Sequence, residues 1–255
     1  NGEKQYQDPI PSEKLFTPGG ESYTFGALSD LHYGRYSTVS DDDAVPAVDN
    51  ALNFFDKIGI KFVGISGDLT NGGEQTSLDK YNDALAKHPD LTVLSCIGNH
   101  DSRTTISTSD TKVLDTSISR WYNSIAGKYF TVEDDGSQYG KITNNLKGYE
   151  ILASDALTNP IDTQYREVAK GEVKDTTVPG LDFVTEAGGN IFIFLNEIAK
   201  TGETYATDKL ITTGQMDWLQ EQLDDYKDKK VFLFFHSFLG VNTLNNDAVD
   251  YNNCV

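Results

Sequence analysis

Four apolar runs in this chain each give way to residues of the kind that bind metals. "YTFGAL" leads to Asp30 and His32, "KFVGIS" to Gly67-Asp68, "LTVLSCIG" to Asn99-His100-Asp101, and "KVFLFF" to His236. Short apolar runs bounded by turn residues read as buried strands. In α/β sheets the carboxyl ends of the strands line the crevice where ligands bind. Side chains far apart in sequence can therefore meet at one place. On a strand, residues i and i+2 face the same way, so Asp30 and His32 are expected to converge on a single point.

The segments between these runs read as helices. Asp41, Asp42 and Asp43 offer caps and negative charge at a helix start. Ala44, Ala47, Val48, Ala51, Leu52 and Phe55 follow with helical spacing up to a stop at Gly59. A second helix is expected near 76–87 with Leu78, Tyr81 and Leu85 on one face, and a third near 112–126 carrying Val113, Leu114, Ile118, Trp121, Tyr122 and Ile125 and ending at Gly127. "KYFTV", "YEILAS" and "NIFIFLN" read as strands, and 158–188, rich in Thr, Asp and Gly, as a long loop. Thr212-x-x-Gln215 resembles a capping box; the helix it opens carries Met216, Leu219, Leu223 and Tyr226. Alternating strands and helices predict an α/β fold. Residues 1–21, polar and punctuated by Pro9, Pro11 and Pro18, read as an extended leader before a domain over 22–255.

A mixed Asp/His/Asn set suits a transition metal better than calcium, and one carboxylate can bridge two ions about 3.5–4 Å apart. Singly each residue is ordinary, since Asp and Asn after strands commonly form turns. In order and in context, "DLH", "GDLTNGG" and "GNHD" resemble the first three blocks of the calcineurin-like metallophosphoesterases, and "FLFFHS" resembles the lone-histidine block that follows. "GQMDWLQEQL" is similar to the helix before that block. The resemblance implies an αββα sandwich of two mixed sheets flanked by helices. It implies two divalent ions (Mn, Fe or Zn), with Asp30 and His32 on the first, Asp68 bridging, and Asn99 and His236 on the second. It places His100 near the phosphate, stabilising charge or protonating the leaving oxygen, and Asp101 behind it, fixing a loop or orienting a histidine. The implied activity is hydrolysis of a phosphate mono- or diester by water activated between the two metals.

Two departures stand out. The family's closing Gly-His-x-His block is absent from the 19 residues after His236 (255 − 236), so each metal keeps three protein ligands and the natural chain is expected to continue. Asn71 also stands where some relatives carry an acid that supports the catalytic histidine. Two rival readings follow: a binding module with a degenerate phosphatase site, and a nuclease of the same fold. The net charge of -18 disfavours nucleic acid and leaves a small phosphorylated substrate.

Other features take plainer readings. No run approaches the ~18 apolar residues of a membrane span. A start at Asn1 without methionine, followed by a polar leader, favours an exported or cell-surface protein. Cys96 reads as a buried thiol, and His88 as a helix-end histidine outside the site. Tyr33 and Arg35 are placed equally well at the substrate or at the surface. "GDLTNGG" lacks the Gly-Lys-Ser/Thr end of a P-loop.

Overall fold

The computed structural model describes residues 23–34, 41–101, 117–133, 141–145, 151–153, 182–196, 198–199, 209–210 and 213–236. These residues form a mixed α/β structure. It opens with three parallel strands, β1 (Gly26–Leu28), β2 (Phe62–Ile65) and β3 (Thr92–Ser95), joined through α1 (Asp41–Ile58) and α2 (Gln75–Ala86). β2 is buried at all four positions, as its unbroken apolar run requires when both faces of a parallel sheet are covered. α1 begins at Asp41, at the run of three aspartates that marked its expected start. It stops at Gly59, whose φ is 87°. The Ile60 amide bonds the Phe55 carbonyl and the Gly59 amide the Asp56 carbonyl, the paired bonds of a Schellman motif.

After α3 (Ser117–Ser124) and a 3-10 turn over Ala126–Lys128 comes an antiparallel pair, β4 (Phe130–Glu133) with β5 (Lys141–Asn144). Of the third helix expected over 112–126, residues 112–116 lie outside the described set, as do 102–111; its described part ends at Ser124. Gly127 falls within the 3-10 turn. Trp121 and Ile125 are buried as expected.

A second sheet holds β6 (Ile151–Ala153), β7 (Phe183–Ala187) and β8 (Asn190–Phe194) in antiparallel succession. The short pair β9 (Ile198–Ala199) and β10 (Lys209–Leu210) precedes α4 (Thr213–Asp225). β11 (Val231–Phe234) then joins the second sheet beside β8 and parallel to it, giving the order β11-β8-β7-β6. β7 corrects the expected loop over 158–188, of which 158–181 lie outside the described residues. Gly188 and Gly189, at φ 57° and 76°, make the two-residue turn from β7 to β8, the backbone that hairpin turns require.

Side chains alternate along β8. Phe192 and Phe194 face the first sheet, where Phe192 meets Phe62 at 4.5 Å between ring centroids and Phe25 at 4.9 Å. Phe234 stacks on Phe194 at 4.9 Å. Each such pair contributes about 0.5–1.5 kcal/mol beyond its buried area. A Cβ at Gly64 of β2 would run into the Phe234 ring, so this glycine makes room for the contact between sheets. Ile191 and Ile193 face the other way and pack with Val184, Leu195, Trp218 and Leu219. On the far side of the first sheet, Val48 and Leu52 of α1 and Leu78 and Tyr81 of α2 complete the main core.

The stripe expected on α4 is corrected here. Leu219 is buried, but Met216 and Leu223 are exposed and Trp218 takes the sheet-facing position. Thr212 of the expected capping box lies outside the described residues, as do the leader and Arg35. Cys96 is a buried free thiol. Among the described residues no helix is long and apolar enough to cross a membrane.

Candidate metal centre

The first two motif segments run side by side beyond their strands. The Asp30 amide donates to the Gly67 carbonyl at 3.1 Å, the His32 amide to Asp68 at 3.0 Å, and the Tyr33 amide to Leu69 at 2.9 Å. Asp30, His32 and Asp68 have φ of 56°, 48° and 53°; among the described residues no other non-glycine residue has positive φ. Asp and His tolerate this left-handed region better than most, yet it costs on the order of 1 kcal/mol at each. Here the expected strand alternation is corrected. Asp30 and His32 converge, with His32 Nε2 3.6 Å from Asp30 Oδ1, but through two left-handed residues rather than through an extended pleat. Leu31 between them turns into the core.

Asp68 lies at the middle. Its Oδ2 is 3.6 Å from His32 Nε2 and 3.2 Å from His236 Nε2, while its Oδ1 accepts the His100 amide at 2.8 Å. Burial alone would raise its carboxyl. With the His236 ring protonated, its hydrogen bond and charge, together with the His100 amide, outweigh burial and hold it below the usual carboxylate range. His236 Nδ1 sits 2.8 Å from the Ser66 carbonyl, which fixes the proton there in the neutral ring. Its Nε2 lone pair then faces Asp68 Oδ2 and, at 2.9 Å, Asn99 Oδ1. An imidazole nitrogen, a carboxylate oxygen and an amide oxygen are all atoms that bind divalent cations. The carbonyl behind the ring is the kind of partner that orients metal-binding histidines.

Carboxylate and histidine atoms able to hold metal ions fall into two groups that share Asp68: His32, Asp68 and His100, and Asp30, Asp68 and His236, each within 4.8 Å. The groups cut across the division that the resemblance implies, because His100 reaches as close to His32 and Asp68 as a ligand would. The His32 and His100 rings meet edge to face at 4.7 Å.

Close approach of the loops needs glycine. A Cβ at Gly98 would overlap Asp68, and one at Gly67 would stand 2.8 Å from Gly98 Cα and 2.9 Å from His236 Cβ. Asp101 secures both loops from beneath. Fully buried, it accepts hydrogen bonds from the amides of Leu69 (3.1 Å), Thr70 (2.8 Å) and Gly98 (3.0 Å), and from the Thr70 hydroxyl (2.9 Å). Burial and the nearby Asp68 charge push its carboxyl up to about 6 against the pull of those amides. Of the two roles expected for Asp101, these bonds are those of a loop fastener.

The support for His100 is a group that sequence reasoning missed. His100 Nδ1 lies 2.8 Å from the Asn71 backbone carbonyl, so the side chain at 71 does not perform this task. Thr70 Oγ1 accepts the Gly73 amide and Arg120 Nε donates to the Gly73 carbonyl, both at 2.8 Å, which fixes the loop that presents Asn71. Tyr33 is a fully buried core residue bridged to Thr70 rather than a surface residue. His88 lies beside Asp56 at the amino end of β3, outside the site.

No family model matches the chain, and no curated protein matches it. Among solved structures it is similar to a dimetal phosphatase from Danio rerio, with 13% identity over 83% of this chain and 68% of that one, and a TM-score of 0.43.

Proposed function

We propose that this chain is a metal-dependent phosphoesterase acting on small phosphate mono- or diesters. We further propose that it is built as a sandwich of two sheets between helices over residues 22–255. The observation that carries the reading is the convergence of Asp30, His32, Asp68, Asn99, His100 and His236 from four strand ends around one shared carboxylate. The donor set, two carboxylates, an amide oxygen and imidazoles, fits Mn, Fe or Zn.

In this reading Asp30, His32 and Asp68 hold one ion, and Asp68, Asn99 and His236 the other. Two such ions, when bound, would supply an activated water and would neutralise charge on a phosphate group. The protein's own work is positional. The Ser66 carbonyl keeps His236 Nε2 unprotonated for its ligand role. The Asn71 carbonyl holds the His100 Nδ1 proton and leaves Nε2 toward the site, where the doubly protonated ring would contact the phosphate or give its Nε2 proton to the leaving oxygen and become neutral. Asp101 keeps the two loops in register beneath.

The test is Mn2+ titration together with hydrolysis of p-nitrophenyl phosphate and its diester by wild type and Asp68→Asn. The expected result is binding and turnover in wild type, both lost in the variant. A metal-loaded wild type inert toward a broad panel of phosphate esters would overturn the reading.

A further inference from the structure

The run "NIFIFLN" also ends on a polar residue, Asn196, and the ligand set just described makes no use of it. Asn196 is fully buried just past β8. Its Oδ1 accepts the Ile97 amide at 2.6 Å, joining the second sheet to the segment just beyond β3. Its own amide donates to Asp182 Oδ1 at 2.7 Å, and Asp182, itself buried, precedes β7. Phe194 pairs in register with Phe234, so Asn196 lies two residues beyond β8 as His236 lies two beyond β11. The Leu195 amide bonds the Phe234 carbonyl and continues that pairing.

Asn99 and His236 belong to different sheets, yet their ligand atoms are 2.9 Å apart. Aromatic packing between the sheets is largely non-directional and does not set such a distance to a fraction of an ångström. A buried hydrogen bond does. We propose that Asn196 is a positioning residue: its amide oxygen fixes Ile97, and through it the Gly98-Asn99-His100 turn, at the level of His236. The metal-binding part of this role rests on the phosphoesterase reading; the ordering of the turn does not.

The experiment compares Asn196→Leu, which removes the acceptor, with Asn196→Asp, which keeps an oxygen in place. Val184→Ala serves as a control that loosens the same sheet on its other face. Amide hydrogen exchange is measured over residues 97–101 of the metal-free protein, and Mn2+ affinity by calorimetric titration. Asn196→Leu is expected to speed exchange there and weaken Mn2+ binding about tenfold or more, as loss of a ligand's support commonly does. Asn196→Asp and Val184→Ala are expected to stay within about threefold of wild type, well short of that loss. Unchanged exchange and affinity in Asn196→Leu, or equal losses in Val184→Ala, overturn the proposal. Should Asn196→Leu fail to fold, Asn196→Asp decides it, since loss of the turn's order with the acceptor retained refutes the role. A wild type that binds no Mn2+ refutes the metal reading instead, and the exchange measurement still decides the part played by Asn196.

Discussion

At the scale of single residues, the site rests on groups that leave no space. Gly98 has no room for a methyl group because Asp68 fills it. Gly98→Ala is therefore expected to displace Asp68 or the Asn99 turn and to weaken Mn2+ binding at least tenfold, of the order seen when ligand support is lost. The chain should still melt cooperatively, since the overlap is confined to two loops; titration beside a thermal melt checks both. Asp101→Leu acts differently. It strands three amides and a hydroxyl in a buried place, at roughly 1–3 kcal/mol for each unsatisfied group. Denaturant unfolding should report a loss of several kcal/mol, with the midpoint moving and the slope unchanged. The side chains that converge at the site were legible in the sequence because each sits in a short local block after an apolar run. The Asn71 carbonyl was not, because a backbone atom has no letter. Nor was the left-handed backbone of Asp30 and His32, which depends on pairing with residues 67 and 68.

At the scale of elements, the alternation of apolar and polar segments gave α1, α2 and the strands near their observed bounds, since each carries its own periodicity and stop. Two misreadings share a cause, which is packing against a distant partner. β7 hides in a stretch whose composition reads as loop, and only its pairing with β8 makes it a strand. The buried face of α4 is chosen by the fit of Trp218 against Ile191 and Ile193, not by the helix alone. The contact between sheets can be tested in the same terms. Gly64→Ala pushes a methyl group into Phe234, and overpacking of this kind costs about 1–3 kcal/mol. Phe234→Leu alone should also destabilise. The double variant is expected to recover at least about 0.5 kcal/mol of the summed loss, the coupling of two residues in contact. A purely additive double-mutant cycle, measured by urea unfolding, would show that the two do not compete for that space.

At the scale of the molecule, the proposed ligands come from both sheets: Asp30, His32, Asp68 and Asn99 beyond the first, His236 beyond the second. A cation held there ties the sheets together, so its binding energy becomes folding energy. The same place gathers negative charge in a chain already at -18, and without a cation Asp30 and Asp68 repel across a gap of at most 4.8 Å. Sequence order could not reveal this coupling, because it depends on β11 lying beside β8 and on the way the two sheets face each other. The consequence is a melting temperature that follows metal concentration. At a free Mn2+ concentration of about a hundred times Kd, one site adds roughly 2.7 kcal/mol to stability. For a chain of this size each kcal/mol shifts the midpoint by about 2–4 °C. Wild type is therefore expected to melt about 5–10 °C higher with saturating Mn2+ than with chelator, and more if both sites fill. Asp68→Asn, lacking the shared carboxylate, should show a difference of less than about 2 °C, under 1 kcal/mol on the same scale. Calorimetry on the two proteins, with and without chelator, checks this. Equal shifts in both would mean that the stabilising metal binds elsewhere, and the shared role of Asp68 would then be wrong.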